Sequence, residues 1–106
     1  MWFKVDDDFH AHPKVIGLPL AARGLWVTAG AWCGRYLTDG HVPAAVLPQL
    51  GATKREANQL VKTGLWAEVD GGYQFHEWHQ FQPTKAEVLA GRESAKARRQ
   101  QGKTRK

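Results

Sequence analysis

The stretch from Thr53 to Trp78 constrains the fold more than any other part of the chain, because a capped helix runs there directly into a hairpin. Thr53-Lys54-Arg55-Glu56 has capping-box spacing, in which the Thr hydroxyl and the Glu carboxylate satisfy backbone donors that a helix start leaves open. Ala57, Leu60 and Val61 recur at helical steps and define an inner face, and Gly64 supplies the stop. Leu65-Trp66-Ala67-Glu68-Val69 and Tyr73-Gln74-Phe75-His76-Glu77-Trp78 read as strands on either side of Asp70-Gly71-Gly72. Asp-Gly between alternating apolar runs is a strong hairpin signal.

Upstream, Leu20–Leu37 is the longest regular segment. Ala22, Leu25, Ala29, Trp32, Cys33 and Tyr36 trace one apolar stripe, which Trp26 widens. Gly24, Gly30 and Gly34 lower its helix propensity by up to ~1 kcal/mol each, and small residues there admit a closely packed neighbour. Thr38-Asp39-Gly40 ends the helix. His41-Val42 reads as a very short strand, and Pro43–Gly51 as a short helix with Val46, Leu47 and Leu50 inward. Pro48 removes a helical hydrogen bond and clashes with the preceding turn, so this element is either broken or replaced by two short turns.

At the N-terminal end, Trp2-Phe3-Lys4-Val5 is expected to be a short strand. Asp6–Asp8 and Pro13 then lead into a short helical stretch, Lys14–Leu18. Pro83 and Thr84 open a last helical segment, poor in apolar residues after Leu89.

The order of helix, tight Gly51-Ala52 turn, helix and hairpin predicts an α+β fold, a winged helix-turn-helix. It has three to four helices, a β-hairpin wing and a C-terminal helical basic tail. Residues 1–83 form the domain, since nearly all large apolar side chains lie there, and 84–106 form the tail, helical or partly disordered.

Charge separates the same two parts. The chain carries a net +5, yet residues 84–106 hold eight Lys or Arg against Glu87 and Glu93, a net +6. Residues 1–83 hold seven positive and eight negative side chains, a net −1. A basic tail of this kind follows a polyanion through counterion release.

Several function classes find little support. No run approaches the ~18 apolar residues of a membrane span, no secretory signal is evident, and a lone Cys33 forms no internal disulfide. A cytoplasmic location is expected. Cys33 falls on the apolar stripe, and no Gly-rich phosphate loop is present, so no enzyme is expected. His10-x-His12, His76-x-x-His79 and the acidic run Asp6–Asp8 suggest metal ligation, and a metal-dependent nuclease would need it. Without zinc-finger spacing, and with His76 and His79 on opposite faces of a strand, no metal and no cofactor is expected.

The chemistry lies on the helix opened by Thr53. Arg55, Asn58, Gln59 and Lys62 are spaced i, i+3, i+4 and i+7, opposite the inner face, with Lys54 beside them. Arg and Lys suit guanine edges, and Asn and Gln suit adenine. Lys96, Arg98 and Arg99 in the tail are expected to add phosphate contacts, which position without reading sequence. Double-stranded DNA is the expected partner, and a homodimer is compatible with it. The other reading is a protein-interaction module, because winged helices also bind proteins and this domain is near neutral.

Several segments of the chain also carry a family resemblance. They are Trp2–Asp7 with His10-Ala11-His12-Pro13-Lys14, Gly24-Leu25-Trp26-Val27, Leu37–Pro43, Leu60–Trp66 and Gly72–Pro83. The stretch from Met1 to about Pro83 resembles the winged-helix N-terminal domains of phage and prophage replication proteins, the replisome-organiser and DnaD-like group. It is similar also to short helix-turn-helix proteins of actinobacterial phages. The resemblance implies origin binding or loading of replication partners. It also implies a location in the host cytoplasm if the chain is phage-encoded, and a replication or host protein as the partner of the protein-interaction reading. A compact gene regulator is the other role open to such a DNA binder.

Overall fold

α1 (Leu20–Tyr36) is the buried centre, starting after Pro19 and ending where Leu37 turns left-handed at φ 55. Ala22, Leu25, Ala29, Gly30, Cys33 and Gly34 are buried along it. The expected stripe holds except at its end: Trp32 is half-buried, and Tyr36 in the last turn is 64% exposed because the helix outlasts the core. This computed structural model describes residues 2–104, with side chains described through Gln100; the tail residues Arg105 and Lys106 and the side chain of Lys103 lie outside that range.

β1 (His41–Pro43) follows α1. It pairs antiparallel with β3 (Gly72–Phe75), which pairs on its other side with β2 (Trp66–Val69), giving the order β1-β3-β2. Val42 sits opposite Tyr73, and Trp66 opposite Phe75. Between β1 and the next helix, Ala44–Leu50 forms a 3-10 segment that contains Pro48. The α-helix considered for Pro43–Gly51 is absent because the proline supplies no N–H to continue it. Leu47 is buried and Val46 and Leu50 are half-buried, the inward set expected.

α2 (Lys54–Thr63) has both halves of the capping box, and Gly64 closes it in the left-handed conformation at φ 84. Ala57 and Leu60 are fully buried, and Val61 is half-buried.

Four expectations need correction or extension. Trp2-Phe3-Lys4-Val5 joins no sheet. Instead the Gln82 side-chain amide takes both backbone groups of Lys4, accepting its N–H at 2.9 Å and donating to its carbonyl at 2.6 Å. One side chain thus does the work of a neighbouring strand. Lys14–Leu18 forms successive turns, with Ile16 N–H donating to the His12 carbonyl and Leu18 N–H to that of Val15, both at 2.9 Å. A stretch this short ahead of Gly17 and Pro19 does not propagate a helix. The second wing strand stops at Phe75; Glu77 turns left-handed at φ 54, and Trp78 opens a one-turn helix, α3 (Trp78–Phe81). The tail is a continuous helix, α4 (Lys85–Thr104).

α4 has a capping box of its own. Glu87 N–H donates to Thr84 Oγ1 at 3.2 Å, and Thr84 Oγ1 donates to Glu87 Oε1 at 3.1 Å. The Lys85 N–H donates to Asp39 Oδ1 at 2.6 Å, tying the start of α4 to the turn after α1. Val88 and Ala95 are half-buried, and most of the described side chains of α4 are exposed.

An aromatic cluster joins the layers. Phe3 meets Trp26 at 5.1 Å and Trp78 at 5.8 Å between ring centroids, and Phe75 meets Trp78 at 5.2 Å. The Phe3 ring lies flush on Gly30, where any Cβ would collide with it. This is the close neighbour that small residues in α1 admit. Among the described residues, no helix is long and apolar enough to cross a membrane.

Candidate nucleic-acid interface

The exposed side of α2 follows from its burial pattern. With Ala57 and Leu60 turned into the core, Lys54, Arg55, Asn58 and Lys62 are exposed and Gln59 is half-buried. Among the described residues, no hydrogen bond or ion pair engages any of these five side chains. The one acid of the helix, Glu56, is occupied. Its Oε1 accepts the Thr53 N–H at 3.2 Å and its Oε2 the Thr53 hydroxyl at 2.7 Å. These bonds, that from the Thr53 hydroxyl first, hold its carboxyl below the usual glutamate range. The carboxylate therefore stays charged at neutral pH while pointing back to the helix start. What remains is a face of cations and amides, with donors and acceptors suited to major-groove edges.

The wing has the opposite character. Leu65–Pro83 contains no Lys or Arg, while Glu68 and Asp70 are exposed on the hairpin. Beneath Glu68, the Tyr73 hydroxyl is pushed above its ordinary pKa by burial, with a smaller contribution from the Glu68 charge. A wing that carries acids and no cations adds no attraction for phosphate. Replacing both acids, Glu68→Gln with Asp70→Asn, is expected to raise duplex affinity about two- to fivefold on every sequence at low salt. Unchanged affinity in an anisotropy titration would place the wing outside the interface.

Lys96, Arg98 and Arg99 are exposed on α4, and the structure does not bring them to α2. α2 packs on the inner stripe of α1, whereas Arg92, near the middle of α4, borders a cleft with Val27, Ala31 and Arg35 from the outer side of α1. The expected site residues thus divide into two surfaces with α1 between them. Sequence reasoning passed over Arg35 and Arg92. Their shared cleft depends on the direction of α4, which the Asp39 contact and the second capping box set.

Several of the remaining titratable side chains make local contacts. His12 Nδ1 accepts the Lys14 N–H at 3.1 Å, and His10 Nδ1 lies 3.1 Å from the Asp7 carbonyl, so both rings belong to the turn. His76 lies 3.3 Å from Glu77 on the wing base, and His79 is on α3. The Asp6, Asp7 and Asp8 carboxylates lie within 4.8 Å of one another and are exposed. Burial pushes the Cys33 thiol up to about 11, leaving it protonated and unreactive at neutral pH.

The element order, the sheet order β1-β3-β2 and the helix pair joined at Gly51-Ala52 define a winged helix-turn-helix fold. Comparison with family models, with characterised proteins and with solved structures finds no match.

Proposed function

We propose that the chain is a sequence-specific double-stranded DNA-binding protein, with α2 as the reader, and that it acts in phage replication initiation or gene regulation. One observation carries this reading. Among the described residues, no hydrogen bond or ion pair engages the side chains of Arg55 and Asn58, which stand on the exposed face of a helix whose only acid is held in its own cap. Arg55 and Lys54 near the helix start suit guanine or phosphate, Asn58 and Gln59 suit adenine, and Lys62 near the end suits phosphate. Lys96, Arg98 and Arg99 add sequence-independent attraction from a separate surface. The family resemblance supplies the biological setting.

The test is titration of Arg55→Ala and Asn58→Ala, each confirmed as folded, against duplexes selected from random sequence and against unselected duplex. Each variant is expected to lose about 1–3 kcal/mol on the selected site and much less on random DNA. Lys62→Ala should weaken every sequence alike. Wild-type affinity of both Arg55→Ala and Asn58→Ala for both DNAs would remove α2 as the reader. The protein-interaction module is the second reading, favoured by the cation-free acidic wing, and that result would put it first.

A further inference from the structure

The outer side of α1 carries a second surface. Two helices packed through their inner faces turn their outer faces away from each other, so this side lies across the domain from Arg55 and Asn58. Trp2, Val5, Val27, Ala31, Arg35 and Arg92 border an open cleft of about 500 Å3 there, and none of its lining residues is acidic. Local structure brings these groups together. Phe3 is seated on Gly30 and Lys4 is held by Gln82, which carries Trp2 onto the side of α1. The Asp39 contact and the Thr84–Glu87 capping box aim α4 so that Arg92, two turns along, comes beside α1.

Three properties of the cleft point to its ligand. The Trp2 indole is 87% exposed, a high value for the largest apolar side chain. Arg35 and Arg92 are exposed, and no ion pair engages either among the described residues. Beyond the cleft, Lys96 and Arg99 follow Arg92 at i+4 and i+7, extending one cationic stripe along exposed helix. A cationic track that no ion pair engages among the described residues, beside an exposed aromatic face, is the chemistry that holds an unpaired nucleic-acid strand. A duplex would use the cations alone, because its bases are already stacked on both faces.

We propose that this cleft binds single-stranded nucleic acid, with a base stacked on Trp2 and phosphates at Arg35 and Arg92, and with Lys96 and Arg99 following the backbone. The site does not depend on α2 as a duplex reader.

Fluorescence anisotropy at low salt, using the full chain with labelled oligothymidine and labelled duplex, tests it. All three side chains are exposed, so the variants are expected to fold, which circular dichroism checks. Trp2→Ala should weaken oligothymidine binding about tenfold or more while leaving duplex affinity unchanged. Arg35→Gln with Arg92→Gln should weaken the oligomer by a similar factor and flatten its salt dependence. Arg55→Ala should leave oligothymidine binding intact, so loss of the duplex reading would not touch this one. Three results would overturn the proposal: wild-type protein that does not bind oligothymidine, a Trp2→Ala protein that binds it as wild type does, or equal weakening of both nucleic acids by Trp2→Ala.

Discussion

Leu60→Asp is expected to leave the chain unfolded at room temperature, with the near-ultraviolet signal of its tryptophans lost and binding to every nucleic acid reduced to that of a disordered polycation. Leu60 is fully buried at the middle of the inner face of α2. The substitution removes about 2–3 kcal/mol of apolar burial and places a carboxylate among Leu25, Ala29, Trp66 and the rest of the core. No cation belongs to that core cluster. An unpaired buried charge costs several kcal/mol more, and a domain of this size has only about 5–15 kcal/mol of stability in all. Leu60→Met keeps volume and apolarity and should remain folded, at a cost below about 1.5 kcal/mol. A native near-ultraviolet spectrum in Leu60→Asp would mean that α2 is not packed as described.

Gly72→Val should be nearly as damaging, for a reason located in the backbone. Gly72 is paired on one side with Pro43 of β1 and on the other with Val69 of β2. A Cβ at this position would run into the Val42 carbonyl oxygen and come within 2.8 Å of the Ala44 nitrogen and 2.9 Å of the Pro43 Cα. All three obstacles are main chain, so no rotamer relieves them. The strand pair β1–β3 has to open, and it carries the 3-10 segment that leads into α2. The expected loss is about 3 kcal/mol or more, seen as a fall in Tm of more than about 10 °C. An unchanged Tm would show that β1 does not lie against β3 at this register.

Much of α2 was legible because its signals are local. Thr53, Glu56 and Gly64 mark its ends within a dozen residues, and the outward set Arg55, Asn58, Gln59 and Lys62 follows from helical periodicity once Leu60 is inside. The Asp70-Gly71 hairpin is local in the same sense. The misread pieces depend on distant partners. Trp2–Val5 has strand-forming residues, but its hydrogen-bonding partner is the amide of Gln82, 78 positions away from Lys4. Glu77 gives no sequence sign of a left-handed turn, so residue alternation alone carries the wing strand on through Trp78. Thr84-Lys85-Ala86-Glu87 repeats the spacing of Thr53–Glu56, yet sparse apolar residues downstream obscured it. The separation of Lys96, Arg98 and Arg99 from α2 depends on where α4 leaves the domain, and that rests on the Asp39 contact and the Thr84–Glu87 capping box.

The small sheet has a consequence for how copies of this chain can meet. Its two open flanks are β1, three residues long, and β2, four residues long. Pro43 on β1 offers no N–H to an incoming strand, and exposed Glu68 places a charge along β2. Short, proline-bearing or charged border strands are poor templates for strand addition. The borders of the wing are thereby poor sites for sheet-to-sheet aggregation, which leaves helices and loops as the better surfaces for two copies to meet.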